Sequence, residues 1–237
     1  WLTVVVGYWL FNTLRGRDVL LDQIVSRLPP GTELHWSRAE GPATGPMTLH
    51  DVRFVQRTCP DIEGEPVAWP NCERPQVTTF AAKRAMLDPT LRPLLGRTLR
   101  LETLELVGAA LILPEDDAPF ELPRWPESLP RIAPPLALQA ETIRIDGLNI
   151  LRREGKRLAP IVRIANLRGG IDAEDGRLQV RDLVAETDRG RFTLRGEYAP
   201  RDDYRMDLLA TAVLPAPAGR TPARLGMIAR GYVSGLE

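Results

Sequence analysis

Two patterns of apolar residues divide the chain into a short first part and a long second part. Residues 1–11 form an apolar run, and the apolar residues from Val19 to Leu28 recur at helical spacing. Pro29-Pro30-Gly31 then ends the helical pattern. We expect residues 1–28 to form the end of a membrane anchor followed by an amphipathic helix. Period-two alternation predicts strands throughout residues 29–237.

One arrangement of apolar positions occurs four times in the strand region. It reads apolar, any, apolar, two polar-tolerant positions, apolar, any, apolar, and the copies begin at Met47, Leu99, Leu138 and Leu178. Strict alternation keeps one face of a strand apolar, and the polar doublet shifts that alternation by one residue. A β-bulge absorbs such a shift and returns both halves to one face, while a turn at the doublet is the competing interpretation.

The repeat predicts a mainly β fold, with an elongated, curved, repetitive antiparallel sheet that forms an apolar groove. An open, repeated array leaves its apolar face accessible, whereas a closed sandwich or barrel seals it. An apolar groove suits acyl chains better than a polar substrate. The groove candidates are Met47, Leu49, Val52, Phe54, Leu99, Leu101, Leu104, Leu106, Leu138, Ile143, Ile145, Leu178, Val180 and Leu183.

Further elements are predicted around the four copies. A short helix over Thr90–Leu95 is expected, with Asp88 as its N-cap and Pro89 at its first position. Gly169-Gly170 is among the turn signals between strands. The other predicted strands are Thr32–Ser37, Gln76–Met86, Ala159–Leu167, Arg191–Tyr198, Tyr204–Leu214 and Gly226–Val233.

Composition excludes several classes of protein. With 43% hydrophobic residues the chain is too apolar to be disordered, and 31 basic residues balance 31 acidic ones. That balance gives no general attraction to nucleic acid. The chain begins at Trp1 inside an apolar run and ends inside a predicted strand, so we interpret it as a piece of a longer protein.

Side chains that carry catalysis are scarce. There are four Ser, none in a G-x-S-x-G elbow, and no P-loop, H-E-x-x-H or G-x-G-x-x-G motif. We therefore predict no enzymatic activity, no cofactor and no metal. A zinc site from His35, His50, Cys59 and Cys72 is disfavoured, because twelve residues separate the cysteines where a zinc knuckle has two to four.

The cysteines favour a disulfide. Pro60, Gly64, Pro66 and Pro70 make the segment between them rich in turns, so its ends can meet. A disulfide suits an oxidising compartment, and two free buried thiols are the alternative. Arg15 and Arg17 follow the apolar run directly. The positive-inside rule would place them in the cytoplasm, against a disulfide further on, so the orientation of the anchor stays open.

Several segments, taken in order, resemble the amino-terminal part of the TamB family, the inner-membrane subunits of the translocation and assembly module within the AsmA-like group. These segments are Leu28–Gly31, Ala39–Gly45 leading into Met47–Val55, Leu87–Gly96, Leu111–Pro114 and Ile143–Ile150. The insertion between the cysteines, with Trp69, departs from that family's pattern. Residues 151–237 are similar only as generic strand repeats.

The resemblance implies a non-enzymatic protein of envelope biogenesis in a Gram-negative bacterium. It implies a single-pass anchor in the inner membrane, a body in the periplasm and a TamA-like barrel partner in the outer membrane. The implied function is passage of phospholipid acyl chains along the groove and support of outer-membrane protein assembly. The alternative function is a chaperone or scaffold that pairs client β-strands at its sheet edges.

Overall fold

The computed structural model describes residues 13–26, 28–42, 45–59, 70–72, 75–90, 98–115, 137–200 and 202–232. One helix precedes eleven strands there, which confirms the predicted mainly β class. Helix α1 spans Leu14–Ser26. The strands are β1 Thr32–His35, β2 Arg38–Glu40, β3 Met47–Thr58, β4 Gln76–Thr90, β5 Thr98–Leu113, β6 Ala137–Glu154, β7 Arg157–Glu174, β8 Arg177–Thr187, β9 Gly190–Ala199, β10 Arg205–Leu214 and β11 Ala223–Gly231.

The eleven strands form one open sheet. Its order is β1-β3-β4-β5-β6-β7-β8-β9-β10-β11, and β2 also pairs with β3. Strands β1, β2 and β4 pair with β3 antiparallel, and β7 through β11 pair antiparallel in succession. Neighbours in the chain are therefore mostly neighbours in the sheet, as the two-residue turns Gly155-Lys156, Asp175-Gly176 and Asp188-Arg189 allow.

The chain divides into two compact units, each assembled from discontinuous stretches. Unit 1 comprises Trp1–Pro89, Glu105–Asp116 and Gly147–Arg163, and unit 2 comprises Thr90–Leu104, Asp117–Asp146 and Ile164–Glu237. The buried side chains of unit 1 include Leu49, Val52, Ala82 and Ala109. Those of unit 2 include Leu101, Ala140, Ile143, Val180 and Tyr198. Each unit thus has its own buried apolar residues.

Helix α1 covers most of the second helix predicted from the spacing. It begins after Thr13, whose hydroxyl accepts a hydrogen bond from the Gly16 amide at 3.0 Å, the geometry of an N-cap. Arg17 is buried and donates to the carbonyl oxygen of Gly41 at 3.0 Å. That bond joins the helix to the end of β2. The predicted anchor, residues 1–11, lies outside the described residues.

The predicted turn at Gly169-Gly170 is wrong, because both glycines lie inside β7. A Cβ on Gly170 would lie 2.7 Å from the carbonyl oxygen of Glu141, and one on Gly169 would lie 2.7 Å from the Cα of Leu183. Real Cβ atoms do not approach other atoms so closely. The glycines therefore permit a close approach of neighbouring strands, which is the other common role of glycine in a strand.

The predicted start of a helix at Asp88 is also wrong. Strand β4 runs to Thr90 and includes Asp88 and Pro89. Proline is tolerated near a strand end, where its missing amide hydrogen breaks few ladder bonds. Residues 91–97, the rest of that prediction, lie outside the described residues. The predicted strand Thr32–Ser37 ends earlier, at His35, and the separate strand β2 follows it.

Candidate functional site

The fourth copy of the repeat lies on β8, and its polar doublet forms the predicted bulge. Val180 pairs with Gly196 and Leu183 with Leu194, so three steps along β8 match two steps along β9. The extra residue, Asp182, has a φ of 43°, and aspartate is one of the few residues that tolerate this conformation. Positions 194 and 196 share a face of β9, so Val180 and Leu183 also share a face.

The strand register extends that face into four apolar rows across unit 2. From β7 towards β11, the rows are Ala173, Leu178, Tyr198 and Met206; Ile171, Val180, Gly196, Leu208 and Ala229; Leu183, Leu194, Ala210 and Met227; and Leu167, Ala185, Phe192, Ala212 and Leu225. Cross-strand partners lie on the same face of a sheet. We call these residues the apolar face of unit 2, and every one of them is apolar or glycine.

The opposite face of the same strands is largely charged and polar. One of its rows runs Asp172, Gln179, Glu197, Asp207 and Arg230. Glu197 accepts hydrogen bonds from Arg177 at 3.1 Å and from Arg205 at 2.7 Å. The first of these bonds raises the pKa of the Arg177 guanidinium. The sheet in unit 2 is therefore amphipathic, with a wet side and an apolar side.

Side chains of the apolar face of unit 2 are buried on β8 and β9 and exposed to solvent on β11. Val180 and Tyr198 are buried, and burial raises the pKa of the Tyr198 hydroxyl. On β11, in contrast, Leu225 and Met227 are 58% and 59% exposed. An apolar surface that stays in contact with water is available to an apolar ligand or partner.

The first copy, on β3 in unit 1, also separates apolar rows from polar rows. Met47 pairs with Leu87, Leu49 with Ala85, Val52 with Ala82, and Phe54 with Phe80. The register skips Asp51 and Lys83, which stand opposite each other. Asp51 has a φ of 51°, and its carboxylate accepts a hydrogen bond from Ser37 at 2.8 Å. The buried side chains are three positions apart on both strands, at residues 49 and 52 on β3 and at residues 85 and 82 on β4. Both strands thus change phase together.

The second and third copies lie on β5 and β6 and share one backbone feature. Their left-handed residues are Gly108, with a φ of 64°, and Gly147, with a φ of 76°, five positions after Thr103 and Thr142. The polar doublets themselves have no residue of positive φ. In these two copies, glycine therefore takes the conformation that Asp51 and Asp182 take in the first and fourth.

None of the fourteen groove candidates is fully exposed to solvent. Half of them are buried and half are partly exposed. The buried ones are Met47, Leu49, Val52, Leu101, Leu106, Ile143 and Val180. The partly exposed ones are Phe54, Leu99, Leu104, Leu138, Ile145, Leu178 and Leu183. The structure brings Leu178, Val180 and Leu183 onto one face through the β8 bulge.

Cys59 and Cys72 are joined by a disulfide. Cys59 follows β3, Cys72 precedes β4, and their Cα atoms are 5.7 Å apart, within the usual range for bonded cysteines. The bond closes the connection between two antiparallel neighbours at the end of the first copy's strand. Oxidation in the native compartment remains a prediction.

The described residues contain no group of three or more His, Cys, Asp or Glu side chains placed to hold a metal ion. His50 lies 3.4 Å from Glu40, and His35 lies 3.9 Å from Glu33, so the two histidines have separate acidic neighbours. Among the helices of the described part, none has both the length and the apolar character needed to cross a bilayer.

Sequence reasoning missed part of the apolar surface. Ala82 and Ala85 on β4 are buried, three positions apart, and so is Tyr198 on β9. Their spacing of three is the spacing across the polar doublet of the repeat, which here is Lys83-Arg84. Phe80 and Leu87 complete this further copy of the repeat, which was the available signal for the alanines. Tyr198 did end a predicted strand, and its alternation with Phe192 and Leu194 was the available signal.

Comparison with known proteins found no family model, no curated protein and no solved structure that matches this chain. The family resemblance therefore remains an expectation from the sequence. The strand register, the burial of side chains and the charges are what bear on function.

Proposed function

We propose that this chain is a non-enzymatic part of an envelope-biogenesis protein that carries phospholipid acyl chains along an apolar β surface. The observation that supports the proposal is the apolar face of unit 2, which continues across five strands without a charged side chain. Part of that face is accessible, at Leu225 and Met227. Acyl chains need a surface of this kind, because each buried methylene contributes about 0.8 kcal/mol.

The remaining parts of the proposal come from the sequence resemblance. They are an inner-membrane anchor that ends within residues 1–11 and is followed by the amphipathic helix, a location in the periplasm, a TamA-like outer-membrane partner and support of outer-membrane protein assembly. The Cys59–Cys72 disulfide supports the periplasmic location, because disulfides persist in oxidising compartments.

A matched pair of substitutions on β11 tests the acyl-chain proposal. Leu225 and Gly226 are adjacent in the strand, so they lie on opposite faces. Both are exposed, and a Cβ on Gly226 would have no atom within 4 Å, so glutamate fits at either position. Leu225→Glu adds a charge to the apolar face of unit 2, and Gly226→Glu adds the same charge to the other face.

The measurement is crosslinking to a phospholipid with a photoactivatable group on one acyl chain, with thermal unfolding measured alongside. We expect Leu225→Glu to lower the crosslinking yield several-fold, because a carboxylate resists transfer into an apolar contact. Gly226→Glu should leave the yield unchanged, and both variants should stay folded. Equal yields from the two variants, or none from the unmodified chain, would reject the proposal.

Substitutions at two other groove candidates test whether these positions form an accessible surface or a closed core. Leu104 is partly exposed, whereas Ile143 is only 4% exposed. Leu104→Glu should therefore fold and lose crosslinking, while Ile143→Glu should lose stability first, because it buries an unpaired charge. Unfolding of both variants would show that these positions form a closed core.

The edge strand β11 supports a second function, the pairing of client strands. In the described part of the chain β11 has a neighbour on one side only, β10. Ile228, on the polar side of β11, is 70% exposed. Edge strands with exposed apolar side chains pair readily with other strands. Hydrogen exchange of the β11 amides, measured with and without a peptide from an outer-membrane barrel strand, tests this function. We expect the peptide to slow exchange in β11 but not in β9. Unchanged exchange in β11 would reject the function.

A further inference from the structure

A hollow of about 300 Å³ lies on the face of β3 that carries Arg53 and Val55, opposite the face that carries Val52 and Phe54. We call the face of Arg53 and Val55 the polar face of unit 1. The register explains its walls. Glu33 pairs with Val55 and His35 with Arg53 across β1 and β3, and Val55 pairs in turn with Thr79 on β4. These cross-strand partners lie on one face of the sheet. Arg57 on β3 and Arg153 on β6 complete the charged part of the wall.

The charges around the hollow do not balance, although the whole chain is neutral. Three arginines, Arg53, Arg57 and Arg153, line it against one carboxylate, Glu33. Arg57 is paired with Glu33 at 2.6 Å. Within the described residues, neither Arg53 nor Arg153 has an ion pair with an acidic side chain. Two positive charges at the hollow are therefore uncompensated, and both side chains are exposed to solvent.

The ion pair also orients one of the arginines. Glu33 holds the Arg57 guanidinium through one nitrogen, Nη1. Arg57 in turn lowers the pKa of the Glu33 carboxyl, mainly through that hydrogen bond. Thr79, which is only 8% exposed, places a polar side chain at the hollow beside the apolar Val55 and Val77.

We propose that this hollow binds a phosphate-type anion. Two uncompensated guanidinium groups match the double charge of a phosphate monoester, and the planar fork of arginine suits phosphate oxygens. The volume exceeds that of one phosphate group, so the ligand can be an ester such as a lipid headgroup or a soluble phosphate. The site lies on the polar face of unit 1, so it does not depend on the acyl-chain proposal for unit 2.

The test measures binding of inorganic phosphate by phosphorus NMR titration of the full chain and three variants. Arg53→Gln and Arg153→Gln each remove one uncompensated charge at the hollow. Arg84→Gln is the matched control, since Arg84 is an exposed arginine of β4 that does not line the hollow. Circular dichroism checks that each variant is folded. A second arm compares vesicles of phosphatidylcholine with and without phosphatidic acid, which carries a phosphate monoester headgroup.

We expect saturable binding of inorganic phosphate, weakened about tenfold by Arg53→Gln and by Arg153→Gln and unchanged by Arg84→Gln, as the loss of a charged hydrogen bond implies. Vesicle binding that needs phosphatidic acid and both arginines would identify a lipid headgroup as the ligand. Phosphate binding without vesicle binding would identify a soluble phosphate. Absence of saturable binding in both arms, or an equal loss in Arg84→Gln, would overturn the site.

Discussion

Gly196 offers the sharpest test of the strand packing in unit 2. It lies in β9, opposite the bulged strand β8 on one side and Leu208 of β10 on the other. Its φ is 128°, a backbone angle that residues other than glycine rarely adopt. A Cβ at this position would overlap the carbonyl oxygen of Asp207 and lie 2.9 Å from the Cα of Leu208. Both contacts are with backbone, which cannot rotate away.

Two costs add up in Gly196→Ala. Holding alanine at this φ costs about 1–3 kcal/mol. Relieving the overlap by moving the backbone costs about 1–3 kcal/mol more. The loss of conformational freedom in the unfolded chain offsets about 0.4–1 kcal/mol. We therefore expect the free energy of unfolding to fall by about 3 kcal/mol, and the Tm to fall by about 6–12 °C.

Two other glycines separate these costs in the same assay, thermal and urea unfolding followed by circular dichroism. Gly147 has a φ of 76° and open space around it, so Gly147→Ala should show the conformational cost alone, about 1–2 kcal/mol. Gly226 lacks both features, so Gly226→Ala should leave stability unchanged or raise it by less than about 1 kcal/mol. If Gly196→Ala unfolds at the same urea concentration as Gly226→Ala, the register of β9 and β10 is wrong.

Three further predictions concern unit 1. NMR titration should find the pKa of Glu33 below its ordinary value, and Arg57→Gln should bring that pKa closer to the ordinary value. Because the pKa is lower in the folded state, the Glu33–Arg57 pair stabilises the protein at pH values above the unfolded-state pKa of about 4.3. This stabilisation is lost as the pH falls through the folded-state pKa. Cys59→Ser should lower the free energy of unfolding by about 3 kcal/mol, as loop closure predicts. Unmodified protein produced in the periplasm should contain no free thiol on peptide mapping. Arg17→Ala should lower the free energy of unfolding in urea by about 1.5–3 kcal/mol, because it leaves the Gly41 carbonyl without this donor. Arg15 is exposed, so Arg15→Ala should lower it by less than about 0.5 kcal/mol. Equal losses in the two variants would contradict a stabilising role for the bond from Arg17 to Gly41.

The sequence alone determined the class of fold and the places where β3 and β8 change phase. Alternation placed ten of the eleven strands, all but β2, because a half-buried sheet requires one apolar face on each strand. The polar doublet Arg181-Asp182 marked the bulge of β8, because a bulge is the device that keeps Val180 and Leu183 on one face. These features are local, so a short window of sequence is enough to specify them.

The tertiary structure decided what depends on residues far apart in the chain. Gly169-Gly170 looks like a turn in sequence, but neighbouring strands need its lack of side chains, and only their approach shows that. The apolar face of unit 2 exists because the register aligns Val180 with Leu208 and Ala229 through Gly196. The charged hollow likewise required β1, β3, β4 and β6 to bring their side chains together. Alternation fixes which side chains share a face of one strand, whereas pairing between strands fixes which side chains meet across the sheet.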